Sequence, residues 1–544
     1  MTQRITGDLL KKMIINAAAA IENHKQEVNE LNVFPVPDGD TGTNMSLTIC
    51  AAENALAEMV PGTLGHAAEV TANAMLRGAR GNSGVILSLL FRGFAKRIKD
   101  VDSADAAMFA DALSLGVDSA YKAVMKPAEG TILTVSRLAA SAASEAAGVE
   151  SDIEAILEQA LATGYIALAD TVNQNPVLKK AGVIDAGAKG YLYILDGMLR
   201  ALRGEIVMKS MADLDQKEKA DFAQYSSEDI KYAYCTEFIA ELKYKADTNR
   251  LRDFLNRRGD SIVVVDDDEI VKVHVHTNEP GAVLTEALTF GPLLSIKVEN
   301  IREQHSEIIN VYDAPAPEEP LKPEDLKKYG TVVVCAGAGI EAVFRDLGAD
   351  KIITGGQTMN PSTEDILAKI NAAPSDVVFV LPNNKNIILA AQQCVPLTEK
   401  RVVIIPTKSI PQGISAMLAI DSAEGFEDMA DRMTEAAKRV CTALITLAAR
   451  DSVFDGQQIK EGEYLALIED SLAASGPDVA AVIDKVAAAL SGISPEFITI
   501  FAGEGVSEDE AESVADIIGA ASSGAETSVI LGGQPVYHFI ISAE

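Results

Sequence analysis

Residues Asn32–Met45 read NVFPVPDGDTGTNM. Two carboxylates, Asp38 and Asp40, flank a glycine and run into a Gly/Thr/Asn turn. Hard oxygen ligands at i and i+2 can face one Mg²⁺, and a cation there would hold nucleotide phosphates. Taken alone, a DGD triplet is more often an Asx-type turn than a metal site. Its surroundings shift the balance. From Ile5 to Leu202 the chain is rich in Ala and Leu, with apolar residues recurring at three and four. Gly and Pro clusters interrupt this pattern, which predicts an all-α region of roughly eight helical segments.

Within the same region Arg77–Gly84, RGARGNSG, sets two arginines among three glycines just before the apolar run VILSLLFRGF. Backbone N–H groups at that helix start, with the hydroxyl of Ser83 and the side chain of Asn82, suit a phosphate. The plainer reading is a serine N-cap on a flexible loop. Two further loops, PAEGTILTV around Thr131 and GVIDAGAKG around Asp185, also place Gly and small polar residues at helix starts. No GxxxxGK[ST] occurs, which excludes a P-loop NTPase.

Outward from this region the pattern changes twice. Residues 206–229 are polar and aperiodic, as an interdomain connection would be, and CTEFIAEL, DSIVVVDD and EIVKVHVHT then read as a small α+β unit. In VKVHVHT, His274 and His276 stand at i and i+2, so both point to one face of a strand. Cys235 of CTEF can join them on a metal, and three such ligands select Zn²⁺ over Mg²⁺. A His pair on a sheet face is otherwise solvated or hydrogen-bonded. Residues 313–325, DAPAPEEPLKPED, form a proline-rich acidic linker. Beyond it TVVVCAG, KIIT, DVVFVLP and RVVIIPT alternate with helical stretches, predicting an α/β region with a second α/β half after Asp451. Gly337, Gly339 and Ala342 spell G-x-G-x-x-A, but the next strand ends without the acid that would bind ribose, so a tight strand-to-helix turn is the better reading. GGQTMNPSTED around Gln357 and LPNNKN around Asn383 and Asn384 put polar groups after strands, at the edge where α/β sheets meet ligands or partners.

The chain has 544 residues, 48% hydrophobic and 23% charged, which is the composition of a folded protein and excludes disorder as its main state. Its net charge is −32, and residues 421–544 hold 23 Asp and Glu against 6 Lys and Arg. That acidic end repels phosphodiesters and argues against a nucleic-acid binder. Five dispersed cysteines without a CxxC speak against a disulfide framework and for a reducing cytoplasm. No signal peptide and no transmembrane run is expected.

The motifs DGDTGTN, ARGNSG, EGTILT and VIDAGAKG, in that order and spacing, resemble the nucleotide-binding subunit of the dihydroxyacetone kinases, an α-helical barrel with its nucleotide at the rim. The whole chain, with CTE, HVHT and GGQTMNPS, is more similar still to the kinase subunit of bacterial fatty acid kinase. The resemblance implies a helical-barrel kinase domain over 1–205, a middle α+β domain with a zinc site over 229–312, and an α/β partner-binding domain over 326–544. It implies ATP and Mg²⁺, with Mg²⁺ on Asp38 and Asp40 and phosphates at Thr41, Thr43 and Asn44. Asn82, Ser83 and Gly84 would form the phosphate loop, and Thr131, Asp185, Gly187 and Ala188 would line the nucleoside. Arg77 and Arg80 are candidates to neutralise the transferred phosphoryl group. Zn²⁺ would sit on Cys235, His274 and His276, its fourth ligand being water, Glu237 or His305. The dihydroxyacetone-type pattern has a third aspartate where this chain has Val33. The expected activity is phosphorylation of a fatty acid carboxylate presented by a separate DegV-family binding protein, by a cytoplasmic homodimer, to give acyl phosphate for phospholipid synthesis. The alternatives are a dihydroxyacetone-like small-metabolite kinase and a nucleotide-binding regulatory adaptor.

Overall fold

The computed structural model describes residues 4–32, 39–59, 62–124, 127–209, 234–241, 248–266, 270–300, 327–356, 359–421, 425–448, 451–454, 457–469, 471–522 and 524–544. They fall into two compact units, residues 1–209 with 321–544, and residues 210–320.

The first region of the larger unit is helical: α1 (Gly7–Leu31), α2 (Thr41–Glu58), α3 (Leu64–Gly78), α4 (Gly81–Arg97), α5 (Ala106–Ala123), α6 (Ile132–Ala147), α7 (Ile153–Gln174), α8 (Pro176–Ala181) and α9 (Ala186–Leu202). Most begin on a side-chain cap: Thr6, Thr63, Asp105, Thr131, Asp152, Asn175 and Asp185 each accept from a backbone N–H of the following turn. Each such cap satisfies a donor that has no partner within the helix. Small residues let the helices meet backbone to backbone. A Cβ on Gly93 of α4 would lie 2.4 Å from the carbonyl of Leu115, and one on Gly116 of α5 would lie 2.5 Å from that of Leu90. Residues 206–209, the start of the expected connection, lie with Glu205 against α1 and α2: Asn16 donates to the carbonyl of Glu205 and accepts from the N–H of Val207, and Lys209 pairs with Glu53 of α2 at 2.5 Å.

The C-terminal region carries two sheets. The four strands read from the sequence, Gly330–Cys335, Lys351–Thr354, Val377–Leu381 and Arg401–Ile404, form a parallel sheet in the spatial order fourth, third, first, second. The second half starts earlier than expected, with the strand Cys441–Leu447 rather than after Asp451. It is a six-stranded sheet in which only Phe497–Ala502 and Glu526–Leu531 pair in parallel. Its leading strand, CTALITL, carries no punctuation in the sequence, because it follows the helix Phe426–Arg439 with no Gly or Pro signal between them.

The G-x-G-x-x-A turn joins the two sheets. Gly337 has φ 103°, and the N–H groups of Gly339 and Ile340 both donate to the carbonyl of Gly532. The turn is closed by protein, which agrees with the strand-to-helix reading. One apolar cluster runs from the helical region into the parallel sheet, including Met75, Val85 and Leu87 on one side and Val332, Ile366, Ile387 and Cys394 on the other.

The smaller unit holds an antiparallel sheet in the order Gly259–Asp266, Ile270–Thr277, Tyr234–Glu241, Leu293–Asn300, with the helices Thr248–Asn256 and Pro280–Ala287. Val271, Val273 and Val275 are fully buried in its core with Phe238 and Leu251.

Candidate active site

The four glycine-bearing turns come together at one end of the helical region, at the starts of α2, α4, α6 and α9. A Cβ on Gly187 would lie 3.4 Å from Asp185 Oδ2 and 3.6 Å from both Ser83 Oγ and Ile132 Cβ, so the starts of α4, α6 and α9 meet there. A Cβ on Gly84 would strike Thr48 Oγ1 at 2.4 Å, which binds α4 to α2. Gly81, at φ 55°, makes the turn into α4; a side chain there would lie 2.7 Å from Asn44 Nδ2.

The two pairs of helices begin differently. Thr131 and Asp185 cap their own first turns, and Asp185 accepts from Ala188 N at 2.7 Å. Burial pushes the Asp185 carboxyl up to about 6, against the opposing pull of the amides of Ala188 and Ile132. At α2 and α4 the N-cap residues are Asp40 and Arg80, and neither side chain caps a backbone N–H of its own first turn. Neither first turn contains an acidic residue. Amides and helix dipoles arranged in this way suit an anion such as a phosphate.

Asp40 is 9% exposed and its carboxyl lies above the ordinary range, because burial outweighs the hydrogen bonds it makes with Asn44 and Asn360. Thr41 and Asn44 are buried beside it. Thr43 is tied to Asn29, whose Nδ2 donates to Thr43 Oγ1 at 3.0 Å and whose Oδ1 accepts from Thr43 N at 3.1 Å. Asp38 and Val33 lie outside the described residues, as do the side chains of Cys235, His274 and His276. The backbone register pairs Cys235 with His276 and Glu237 with His274. Among the described residues no group of three or more His, Cys, Asp or Glu is placed to hold a metal ion.

Residues that the motifs did not point to here come from the C-terminal region. Asn360, 2% exposed, donates from Nδ2 to Asp40 Oδ2 at 2.5 Å, while its own Oδ1 has no hydrogen-bond partner. Its carbonyl accepts from Arg80 Nη1 at 2.9 Å, and Arg80 Nη2 lies 3.6 Å from Asp365. Thr363 N donates to the carbonyl of Ala79 at 3.1 Å, and Asn82 Nδ2 donates to Asn386 Oδ1 at 3.2 Å. Arg77, largely exposed, is 4.0 Å from Glu364. The segment GGQTMNPSTED was legible as a recognition loop; that it meets this chain's own glycine loop was not, because no local pattern reports a contact 320 residues away.

Comparison with known proteins gives the family. Residues 35–200 match the DAK2 domain, residues 231–308 the FakA-like middle domain of fatty acid kinases, and residues 330–544 the FakA-like C-terminal domain. The protein YloV of Bacillus subtilis is 40% identical over 99% of both chains, and an uncharacterized protein of Staphylococcus saprophyticus is 39% identical over the full length of both. The chain belongs to the FakA-like fatty acid kinase family. Its glycine turns thus lie in a kinase-type domain. Among solved structures, a fatty acid binding DegV family protein of Streptococcus agalactiae covers 40% of this FakA-like chain and 99% of its own, with 12% identity and a TM-score of 0.27. Among the described residues no helix is long and apolar enough to cross a membrane.

Proposed function

We propose that this FakA-like chain transfers the γ-phosphoryl group of ATP to the carboxylate of a fatty acid held by a separate DegV-family binding protein. The observation that carries the reading is the meeting of the four turns beside the buried carboxylate of Asp40. Three functional regions, 1–205, 229–312 and 326–544, would divide the work: nucleotide binding, a zinc-bearing middle domain, and contact with the lipid-carrying partner. The chain would act as a homodimer.

The residues present fit Mg²⁺ and nucleotide. A carboxylate held in a buried place, a neighbouring amide oxygen without a partner, and two helix starts whose own N-cap side chains do not cap them are what a cation with phosphates would complete. Asp38 and Asp40 would hold Mg²⁺, whose chemistry when bound is neutralisation of phosphate charge. The first-turn amides of α4 and those of Thr41 and Gly42 in α2, with Asn44, Asn82, Ser83 and Gly84, would orient the phosphates, and Thr43 would face them from its bond to Asn29. Thr131, Asp185, Gly187 and Ala188 would border the nucleoside, and Arg77 and Arg80 would offset charge on the transferred group. A carboxylate oxygen forms the new bond to phosphorus as the bond to the departing ADP oxygen breaks. The acceptor is already ionised at neutral pH, so no general base is required. For zinc, the support is the backbone register, which pairs Cys235 with His276 and Glu237 with His274.

The test is transfer of labelled γ-phosphate from ATP to oleate, with and without a purified DegV-family protein, for wild type and for Asp38→Ala with Asp40→Ala. Acyl phosphate that requires both the partner and the aspartates is expected. Phosphorylation of a triose in place of oleate would make the chain a small-metabolite kinase, and nucleotide binding with no acceptor at all would make it an adaptor.

A further inference from the structure

The C-terminal region reaches Asp40 through one short segment, while Asn386 of a second segment meets Asn82. Gly356 N donates to the carbonyl of Met359, and Ser362 and Asp365 form a reciprocal capping box at the start of the helix Thr363–Ala372. Within that box, Ser362 and Thr363 also pair with Arg80 and Ala79. These contacts anchor the residues that directly follow Asn360. Its amide then does two unequal things. Nδ2 donates to Asp40, and Oδ1 is left buried without a donor.

A buried acceptor left without a partner costs free energy, and an interface built only to hold two regions together would gain by an apolar residue there. The arrangement makes sense if Oδ1 gains its partner when the site fills. We infer that Asn360 is a positioning residue of the phosphate site: it orients the Asp40 carboxylate and offers a second oxygen to a divalent cation, or to water on that cation. The site is therefore composite, assembled from α2, α4 and a segment about 320 residues further along the chain. This inference rests on the reading of Asp40 as a Mg²⁺ residue.

The experiment uses the full chain and measures ADP binding calorimetrically across a Mg²⁺ titration. It compares wild type, Asn360→Ala, Asn360→Ser, Asp40→Ala and the double variant Asp40→Ala with Asn360→Ala. Circular dichroism and melting temperature show that each is folded, and the serine variant stands in if the alanine variant is not. The expected result is a loss of about 10–100-fold in the Mg²⁺-dependent affinity of the Asn360 variants, the usual effect of removing a residue that orients a metal ligand. Binding without Mg²⁺ is unchanged, and the Asn360 substitution costs nothing further once Asp40 is alanine. A wild-type Mg²⁺ dependence in the folded Asn360 variants, or full additivity with Asp40→Ala, overturns the inference and leaves the kinase reading standing. Wild-type protein that binds ADP with no Mg²⁺ dependence overturns both.

Discussion

Asp185 places an ionisable group where its charge is expensive. It caps α9 with a carboxylate whose pKa burial raises to about 6, from an ordinary value of 3.8. A group with a raised folded pKa binds its proton more tightly in the native state, so its contribution to stability is complete below about pH 4 and is lost as pH rises through about 6. Asp185→Asn keeps an acceptor for the amides of Ala188 and Ile132 and removes the charge. The difference in unfolding free energy, variant minus wild type, is expected to shift in favour of the variant by on the order of 2–3 kcal/mol between pH 4 and pH 7.5. Urea unfolding at several pH values measures it, and a difference that stays flat across this range contradicts the assignment. The sequence pointed to Asp185 because GVIDAGAKG is a local helix start. It did not point to Asn360 at the same site, because a side chain's partner across the fold leaves no trace in periodicity.

At the scale of elements, the turn between the two C-terminal sheets shows how a weak motif is decided by packing. G-x-G-x-x-A leaves its second glycine free to approach a dinucleotide in one fold and a neighbouring backbone in another. Here a Cβ on Gly339 would lie 1.8 Å from the carbonyl oxygen of Leu531, at the end of an edge strand of the six-stranded sheet. Neither group is the flexible end of a side chain, so the backbone itself must move. Gly339→Ala is therefore expected to destabilise the protein by about 1–3 kcal/mol or more, as overpacking of a rigid contact does. Chemical denaturation followed by circular dichroism measures this, and wild-type stability in the variant would mean that the turn opens into free space. The strands of the parallel sheet were legible from their β-branched runs. The boundary of the second sheet was not, since CTALITL lacks the Gly or Pro flanks that mark an isolated strand.

The whole molecule poses a question that sequence division into three regions did not raise: whether the first and third regions open separately. Their apolar residues belong to one cluster, and Cys394 lies inside it, fully buried, its thiol donating to the carbonyl of Thr363 at 3.3 Å. Thr363 is the residue whose N–H binds the carbonyl of Ala79, one residue before Arg80. Burial pushes the Cys394 thiol up to about 12, so at neutral pH a thiol reagent modifies it only when this packing opens. A ligand that binds only the closed form lowers the population of the open form by the factor 1 + [L]/Kd, about 100-fold at a concentration 100 times its Kd. If the helical region and the parallel sheet open as one body, Mg²⁺ with ADP bound at α2 and α4 will slow the modification of Cys394 by that factor. Cys441, half-buried at the start of its strand, serves as the internal reference and keeps its rate. Peptide mass spectrometry resolves the two sites in one sample. An unchanged Cys394 rate under saturating nucleotide would mean that the C-terminal region opens without disturbing the phosphate loop. In that case Asn360 could not be part of a composite site, because the segment that carries it would leave Asp40 while the nucleotide stayed bound.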